Sequence, residues 1–275
     1  MTVPIDADSF NAFEAEGWEQ QAGGYERLFG RITARLVEPL LQAAQVGPAD
    51  RVLDLATGPG YVAAAAAWRV ASVVGVDVAA AMVALARERH PELEFQQADA
   101  HALPFADASF DALVGNFLVL HLGRPEQAAK EFARVLAPAG RLALTAWDVP
   151  EEARFLGVFL DAVAAAGATA PAALPQGPDF FRFSRNEELE ALLGGAGLED
   201  IEVETIAFVY PAATTDQLWD GLLSGSVRTA ALIVRQTPDT QRRIRAEFDG
   251  LVAQYVVGDG LEIPVSVKLA VARKP

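Results

Sequence analysis

The chain predicts an α/β fold, a doubly wound and mostly parallel sheet with helices on both faces. Three observations carry that expectation. Between Arg51 and Trp147, short apolar runs alternate with helix-length segments, and parallel neighbours need such crossovers because a tight turn cannot join them. The first run, Arg51–Leu55, closes in a glycine-rich turn and leads straight into the alanine-rich stretch Val62–Trp68. The second run, Val73–Val76, ends on an acid, Asp77.

The elements follow in order. Before the sheet, Tyr25, Leu28, Phe29, Ile32, Leu36 and Leu40 recur at helical spacing and predict a helix over Tyr25–Leu41. Gly47-Pro48-Ala49-Asp50 is a turn. Within the sheet region, helices are expected at Ala79–Arg89 and Pro125–Leu136, the latter with proline in its first turn. Further strands are expected at Glu94–Ala98, Phe110–Gly115 and Arg141–Trp147. Beyond Trp147 the pattern loosens. Glu152–Ala166 reads as helix and Ala170–Phe183 as a Pro/Gly-rich loop. Ser184 and Glu187 form a capping-box pattern for a helix over Arg185–Leu193, ended by Gly194, Gly195 and Gly197. Ile201–Val209 and Glu262–Ala272 complete the strands. Between them lie helical segments at Asp216–Leu223 and Pro238–Gln254, with Thr237 and Pro238 as N-cap and first helical residue of the latter. The expected organisation is an N-terminal helical segment, 1–50, and a sheet domain, 51–275, with helical insertions at about 150–185 and 211–258.

Composition narrows the function. A net charge of −15 repels nucleic-acid phosphates and anionic lipid, so neither is expected as a partner. With no cysteine there is no disulfide framework, thiolate nucleophile or Cys-held metal. The start, MTVPIDADSF, lacks the basic and apolar regions of a signal peptide, and no apolar run is long enough to span a bilayer. A cytoplasmic protein is the expectation. Abundant alanine, and arginine well in excess of lysine, fit a GC-rich bacterial gene.

The most informative stretch is Val52-Leu53-Asp54-Leu55-Ala56-Thr57-Gly58-Pro59-Gly60-Tyr61. Glycine lets backbone approach a ligand closely, and the helix start behind it offers free N–H groups to a carboxylate or phosphate. Asp77, nineteen residues beyond Gly58, is placed to hold two ribose hydroxyls. Dinucleotides and S-adenosylmethionine both use this geometry, and Gly58-x-Gly60-x-x-Ala63 fits the relaxed dinucleotide fingerprint. Asp54, inside the strand, is foreign to that fingerprint.

Asp54-x-Ala56-x-Gly58-x-Gly60 resembles the D/E-x-G-x-G-x-G motif of class I S-adenosylmethionine-dependent methyltransferases, with Ala56 in place of the first glycine. The D-x-A-T-G-x-G form resembles the ubiquinone/menaquinone-biosynthesis type of small-molecule methyltransferase. Val74-Gly75-Val76-Asp77 with Met82 resembles the family's second motif. Asp99-Ala100-His101-Ala102-Leu103-Pro104-Phe105 resembles its D-A-x-x-L-P-F segment. Ser109-Phe110-Asp111-Ala112 with Asn116-Phe117, and the Val135–Leu142 turn, follow in register. The resemblance covers roughly Arg51–Trp147 and implies a Rossmann-like, seven-stranded sheet with its last strand antiparallel. It also implies a cofactor, S-adenosylmethionine, held by Tyr25, Asp54, Ala56, Thr57, Gly58, Gly60, Asp77, Val78, Met82, Asp99, Ala100, Asn116 and Phe117. Asp77 would bind the ribose, Asp99 the adenine amino group, and Asn116-Phe117 would stand beside the reactive methyl. Trp18 and Tyr25 lie in the N-terminal segment, which closes over the cofactor in similar proteins; the two aromatics read equally as core contacts.

Direct SN2 transfer to an O, C or N atom of a small, largely apolar molecule is the expected reaction, such as a natural product or quinone-like compound. It needs alignment and exclusion of water rather than a catalytic triad. His121, after the fourth strand, is the candidate general base or substrate contact; His90 and His101 read as structural. Phe180, Phe181, Phe183 and Trp219 fall in the insertions, either lining an apolar substrate site or forming the insertions' own core. No metal-ligand cluster is readable. Two alternatives stay open: a protein that binds S-adenosylmethionine without methylating, and a nicotinamide-dependent oxidoreductase.

Overall fold

The computed structural model describes residues 6–275; the first five residues of the expected 1–50 segment lie outside the described residues. The strands are β1 Arg51–Leu55, β2 Ser72–Asp77, β3 Glu94–Gln97, β4 Phe110–Gly115, β5 Leu136–Trp147, β6 Glu199–Ala212, β7 Val256–Val257 and β8 Gly260–Arg273. Their order is β3-β2-β1-β4-β5-β8-β6, with the two-residue β7 paired to β8. β1 to β5 run parallel. β8 is antiparallel to both β5 and β6. The sequence-derived fold class therefore holds, with the last strand as the antiparallel one. Strand order reverses at β1, between β2 and β4, and a crevice opens there at the carboxyl ends of the strands.

β1 and β4 are apolar along almost their whole length because both faces are covered. Leu53, Leu55 and Leu113 pack toward the helices Pro125–Val135 and Asn186–Gly195 on one side. Val52, Ala112 and Val114 pack toward Tyr61–Ala67 and Ala80–Arg89 on the other. Alanines bring Tyr61–Ala67 close to the sheet: Ala63 and Ala66 are fully buried. Gly75 serves the same approach, since a Cβ there would meet the Phe95 ring at 2.5 Å and the Thr57 hydroxyl at 2.7 Å.

The insertions have a core of their own. Helices Arg154–Ala165, Thr215–Gly225, Arg228–Val234 and Pro238–Val252 gather over the far ends of β6 and β8. Phe159, Trp219 and Phe248 pack against one another, with ring centroids 4.4 to 5.7 Å apart. Trp219 thus belongs to this core, as one of the two readings of the aromatics had it. Phe183 belongs to the sheet core, and Phe180 alone of the four lines the crevice.

Two expectations needed correction, and two helices had not been foreseen. The helix over Tyr25–Leu41 is broken into Tyr25–Arg27, Phe29–Thr33, Ala34–Leu36 and Val37–Ala43, the first and third being 3₁₀ turns. Pro39 has no N–H to give to the Arg35 carbonyl and its ring crowds that carbonyl, so the regular helix fails at Ala34–Leu36. The burial pattern survives the break: Leu28, Ile32, Leu36 and Leu40 are all fully buried. The capping box does not form. Ser184 Oγ donates to the Phe181 carbonyl, and the helix starts at Asn186 after an uncapped Arg185. Helix Ala7–Gln21 was not foreseen; Asp6 caps it by accepting from Ser9 N at 3.1 Å. Nor was Arg228–Val234. By contrast, the Thr237 cap is present, accepting from Thr240 N at 3.3 Å. Among the described residues no helix is long and apolar enough to cross a membrane.

Candidate active site

A cavity of about 340 Å³ lies at the carboxyl ends of β1, β2 and β4, within the size range of small-molecule sites. Its floor is the turn after β1. That turn passes through left-handed backbone at Ala56 (φ +53°), Gly58 (φ +51°) and Gly60 (φ +86°). Asp54 ties it down from behind: its Oδ2 accepts from Thr57 Oγ1 at 2.7 Å and from Ala63 N at 3.0 Å. Asp54 is 1% exposed, and burial pushes its carboxyl up to about 7. Thr57 N donates to the Val76 carbonyl, which pins the turn to β2. Gly60 is a packing glycine, since a Cβ there would come within 3.0 Å of His90 and Phe95. Gly58 faces open space instead. So Ala56 and Gly58 reach the cavity wall, whereas Asp54, Thr57 and Gly60 stand behind it and shape it.

Asp77 stands at the tip of β2 and accepts from Gly58 N at 2.9 Å and Ala79 N at 3.0 Å. Burial raises its pKa, against these hydrogen bonds. A carboxylate oxygen can accept more than one hydrogen bond, and Asp77 lines the cavity with Val78 and Met82. After β3, Asp99 Oδ1 accepts from His101 N at 2.9 Å and lies 2.6 Å from His101 Nδ1. His101 Nε2 accepts from Arg124 N at 3.4 Å, so the ring carries its proton on Nδ1 and gives it to Asp99. That hydrogen bond holds the Asp99 carboxyl below the usual range. His101 is thus the support of Asp99, and Ala100 lines the wall between them.

The opposite wall is aromatic. Phe117, at φ +61°, stacks on Trp147 with centroids 3.7 Å apart. Its N–H donates to Thr145 Oγ1, whose hydroxyl donates to Asn116 Oδ1, and Asn116 Nδ2 donates to the Thr33 carbonyl. Tyr25, whose pKa burial raises, hydrogen-bonds Thr33 Oγ1 at 2.9 Å. The structure brings Tyr25, Ala56, Gly58, Asp77, Val78, Met82, Asp99, Ala100, Asn116, Phe117 and His121 into one cavity. His90 stays outside it, at a helix end against Phe95.

Sequence reasoning missed Asn11, Glu14 and Arg228 in this wall. Glu14 is 3% exposed, and its Oε2 lies 2.9 Å from His121 Nδ1. Phe10, Glu14 and Trp18 share one helical face at four-residue spacing, a signal the sequence does carry. Trp18 and Phe180 pack edge-on to His121 at 5.1 Å and 6.3 Å. Arg228 Nη2 donates to the Pro178 carbonyl, and the guanidinium lies 5.1 Å from both the Phe10 and the Phe180 ring centroids.

The donor set fits an adenosyl group. Asp77 and Asp99 offer carboxylate acceptors for ribose and exocyclic amine, the alanines and Met82 an apolar slot, and Gly58 an open backbone edge at a helix start. No group of three or more His, Cys, Asp or Glu suited to a metal occurs among the described residues.

Comparison with known proteins agrees. The methyltransferase-domain family matches residues 53–144. A demethylmenaquinone methyltransferase of Beutenbergia cavernae is 37% identical over 136 residues, 50% of this chain and 54% of that one. One from Thermus thermophilus is 36% identical over 174 residues, 58% of this chain and 78% of that one. The chain spans about half the length of most of these relatives. Among solved structures, YcgJ from Bacillus subtilis superposes with a TM-score of 0.59 at 20% identity, covering 87% of this chain and 98% of that one. These relatives decide between the two ligand classes that the glycine turn left open. The chain belongs to the class I S-adenosylmethionine-dependent methyltransferases, in the group that includes the demethylmenaquinone methyltransferases.

Proposed function

We propose that this protein transfers a methyl group from S-adenosylmethionine to an O, C or N atom of a small, largely apolar molecule, a quinone-like compound or a secondary metabolite. The observation that carries the reading is a single cavity with two characters: a polar edge made by Gly58, Asp77 and Asp99, and an aromatic chamber made by Trp18, Phe117, Trp147 and Phe180. S-Adenosylmethionine supplies an already activated methyl, so the chain's task is to align the acceptor and exclude water. Asp77 and Asp99 would orient the adenosyl group, with the Asp54-tied turn fixing the backbone that meets its amino-acid end. Helix Ala7–Gln21 and the insertions would act as the lid over the chamber, with residues 51–275 as the catalytic domain.

Isothermal calorimetry with S-adenosylmethionine and S-adenosylhomocysteine tests this. Micromolar binding to the wild type, weakened at least tenfold in Asp77→Ala, is expected. Absence of binding to folded wild-type protein would overturn the reading.

A further inference from the structure

We propose that Arg228 is a positioning residue for the acceptor: it fixes the ring of Phe180 as one wall of the aromatic chamber, so that acceptor affinity depends on it while cofactor affinity does not. The proposal rests on the methyl-transfer reading above and adds a residue that governs acceptor binding from outside the polar edge.

Phe180 lines the chamber, edge-on to His121 with centroids 6.3 Å apart. It stands on a segment, residues 168–181, that contains no helix or strand. A segment without regular backbone pairing holds a side chain in place only through its tertiary contacts. Arg228, the first residue of helix Arg228–Val234, supplies two of them. Its Nη2 donates to the Pro178 carbonyl at 2.8 Å, and its guanidinium lies 5.1 Å from the Phe180 ring centroid. It lies equally far from the ring of Phe10, a fully buried side chain of helix Ala7–Gln21. Glycines draw these segments together: a Cβ at Gly177 would come within 2.1 Å of the Phe10 ring, and one at Gly17 within 2.3 Å of Val227. One guanidinium thus ties the loop, the N-terminal helix and the insertion helix at the chamber wall.

The residue type argues for geometry rather than stability. Burial works against the charge of Arg228, and Glu14 and Asp179 act on it through space in the other direction. Neither acid belongs to the polar edge of Gly58, Asp77 and Asp99. Arg228 Nη1 is buried without a partner among the described residues. A methionine in that place would fill the space and leave no donor unsatisfied. What a methionine cannot do is face two aromatic rings as a planar cation and donate to a carbonyl at once. Held this way, Phe180 keeps a set position relative to the chamber's other rings. Released, it would let a flat acceptor rock away from the methyl.

The test measures menadione binding by quenching of tryptophan fluorescence in the full-length protein, with and without S-adenosylhomocysteine, beside calorimetry of S-adenosylhomocysteine itself and urea unfolding. Arg228→Met should weaken menadione binding about tenfold, the worth of one charge-assisted hydrogen bond. It should hold S-adenosylhomocysteine affinity within about twofold and leave the unfolding midpoint unchanged or raised. Arg228→Lys should recover part of the menadione loss. Phe180→Leu should weaken menadione comparably, and adding Arg228→Met to it should cost less than about twofold more, because the arginine acts through the ring. Menadione bound equally by wild type and Arg228→Met, losses that add in the double variant, or a wild type that does not bind menadione overturns the proposal. So does Arg228→Met that loses S-adenosylhomocysteine binding with a lowered midpoint, which would make the residue purely structural. Wild type that binds menadione and shows the non-additive cycle, but does not bind S-adenosylhomocysteine, would remove the methyl-transfer reading and leave the positioning role standing. Tight S-adenosylhomocysteine binding with no menadione loss in Arg228→Met would do the reverse.

Discussion

Asp54 should make the fold weaker as pH rises through neutrality, and Asp54→Asn should remove that weakness. In the folded chain burial moves the carboxyl from its ordinary 3.8 up to about 7. The unfolded chain releases this proton near pH 4, while the folded chain keeps it until about 7. Stability from this residue is therefore full below the unfolded value and is lost as pH climbs toward the folded one. Between pH 5.5, above the isoelectric point of 4.6, and pH 8, linkage gives a loss of roughly 2 kcal/mol. Asparagine keeps an acceptor for Thr57 Oγ1 and Ala63 N and places its amide at the unpartnered Oδ1 position. The assay is urea unfolding of both proteins at the two pH values, without cofactor. The other titrating groups cancel in the comparison except Asp77, whose charge acts on Asp54. The wild type should fall by roughly 2 kcal/mol relative to Asp54→Asn on going from pH 5.5 to pH 8. A difference that stays constant with pH, or changes in the opposite direction, would refute the account of the buried acid.

Three further outcomes follow from the geometry. Gly75→Ala should destabilise by ~2 kcal/mol in urea unfolding, because its Cβ cannot share space with Phe95 and Thr57. Ala139→Gly should stabilise by about 0.5 kcal/mol, because Ala139 is exposed at φ +59° and glycine relieves the left-handed strain at some entropic loss; an unchanged or lowered denaturation midpoint would count against strain there. His101→Ala should weaken S-adenosylhomocysteine binding about tenfold by calorimetry, the worth of one charge-assisted hydrogen bond holding Asp99 in place; His101→Gln should recover part of it.

What was legible in the sequence divides along one line. β1, β2, β4 and β5 were readable because strands buried on both faces are nearly continuous apolar runs, whereas the edge strand β3 buries only Phe95; the residues that shape the polar edge sit within a few positions of the strand ends. Asp77 ends a strand, and Ala56, Gly58, Asp99 and Asn116 lie one to three residues past one. The aromatic chamber was not readable in the same way. Glu14 and His121 are 107 residues apart, and Arg228 lies as far again beyond His121; only packing brings them together. Helix Ala7–Gln21 escaped notice because it buries just Phe10 and Glu14, so its apolar periodicity is weak. Helix Arg228–Val234 is seven residues long, and its short apolar run carries no helical period. The Tyr25–Leu41 segment shows the converse: periodicity identified the buried face correctly, while Pro39 decided the backbone.

The light anchoring of helix Ala7–Gln21 also separates two stabilities. With two buried side chains and polar ties to Ala81, His121, Gly123 and Arg124, against a sheet core of dozens, this helix is expected to open locally before the sheet does. It carries Glu14 and Trp18, so each opening would take the Glu14 contact to His121 and one aromatic wall away from the chamber and admit solvent. Turnover would then be governed by how often one helix lifts, and substitutions along it would alter exchange of acceptor and product while leaving the melting of the sheet untouched.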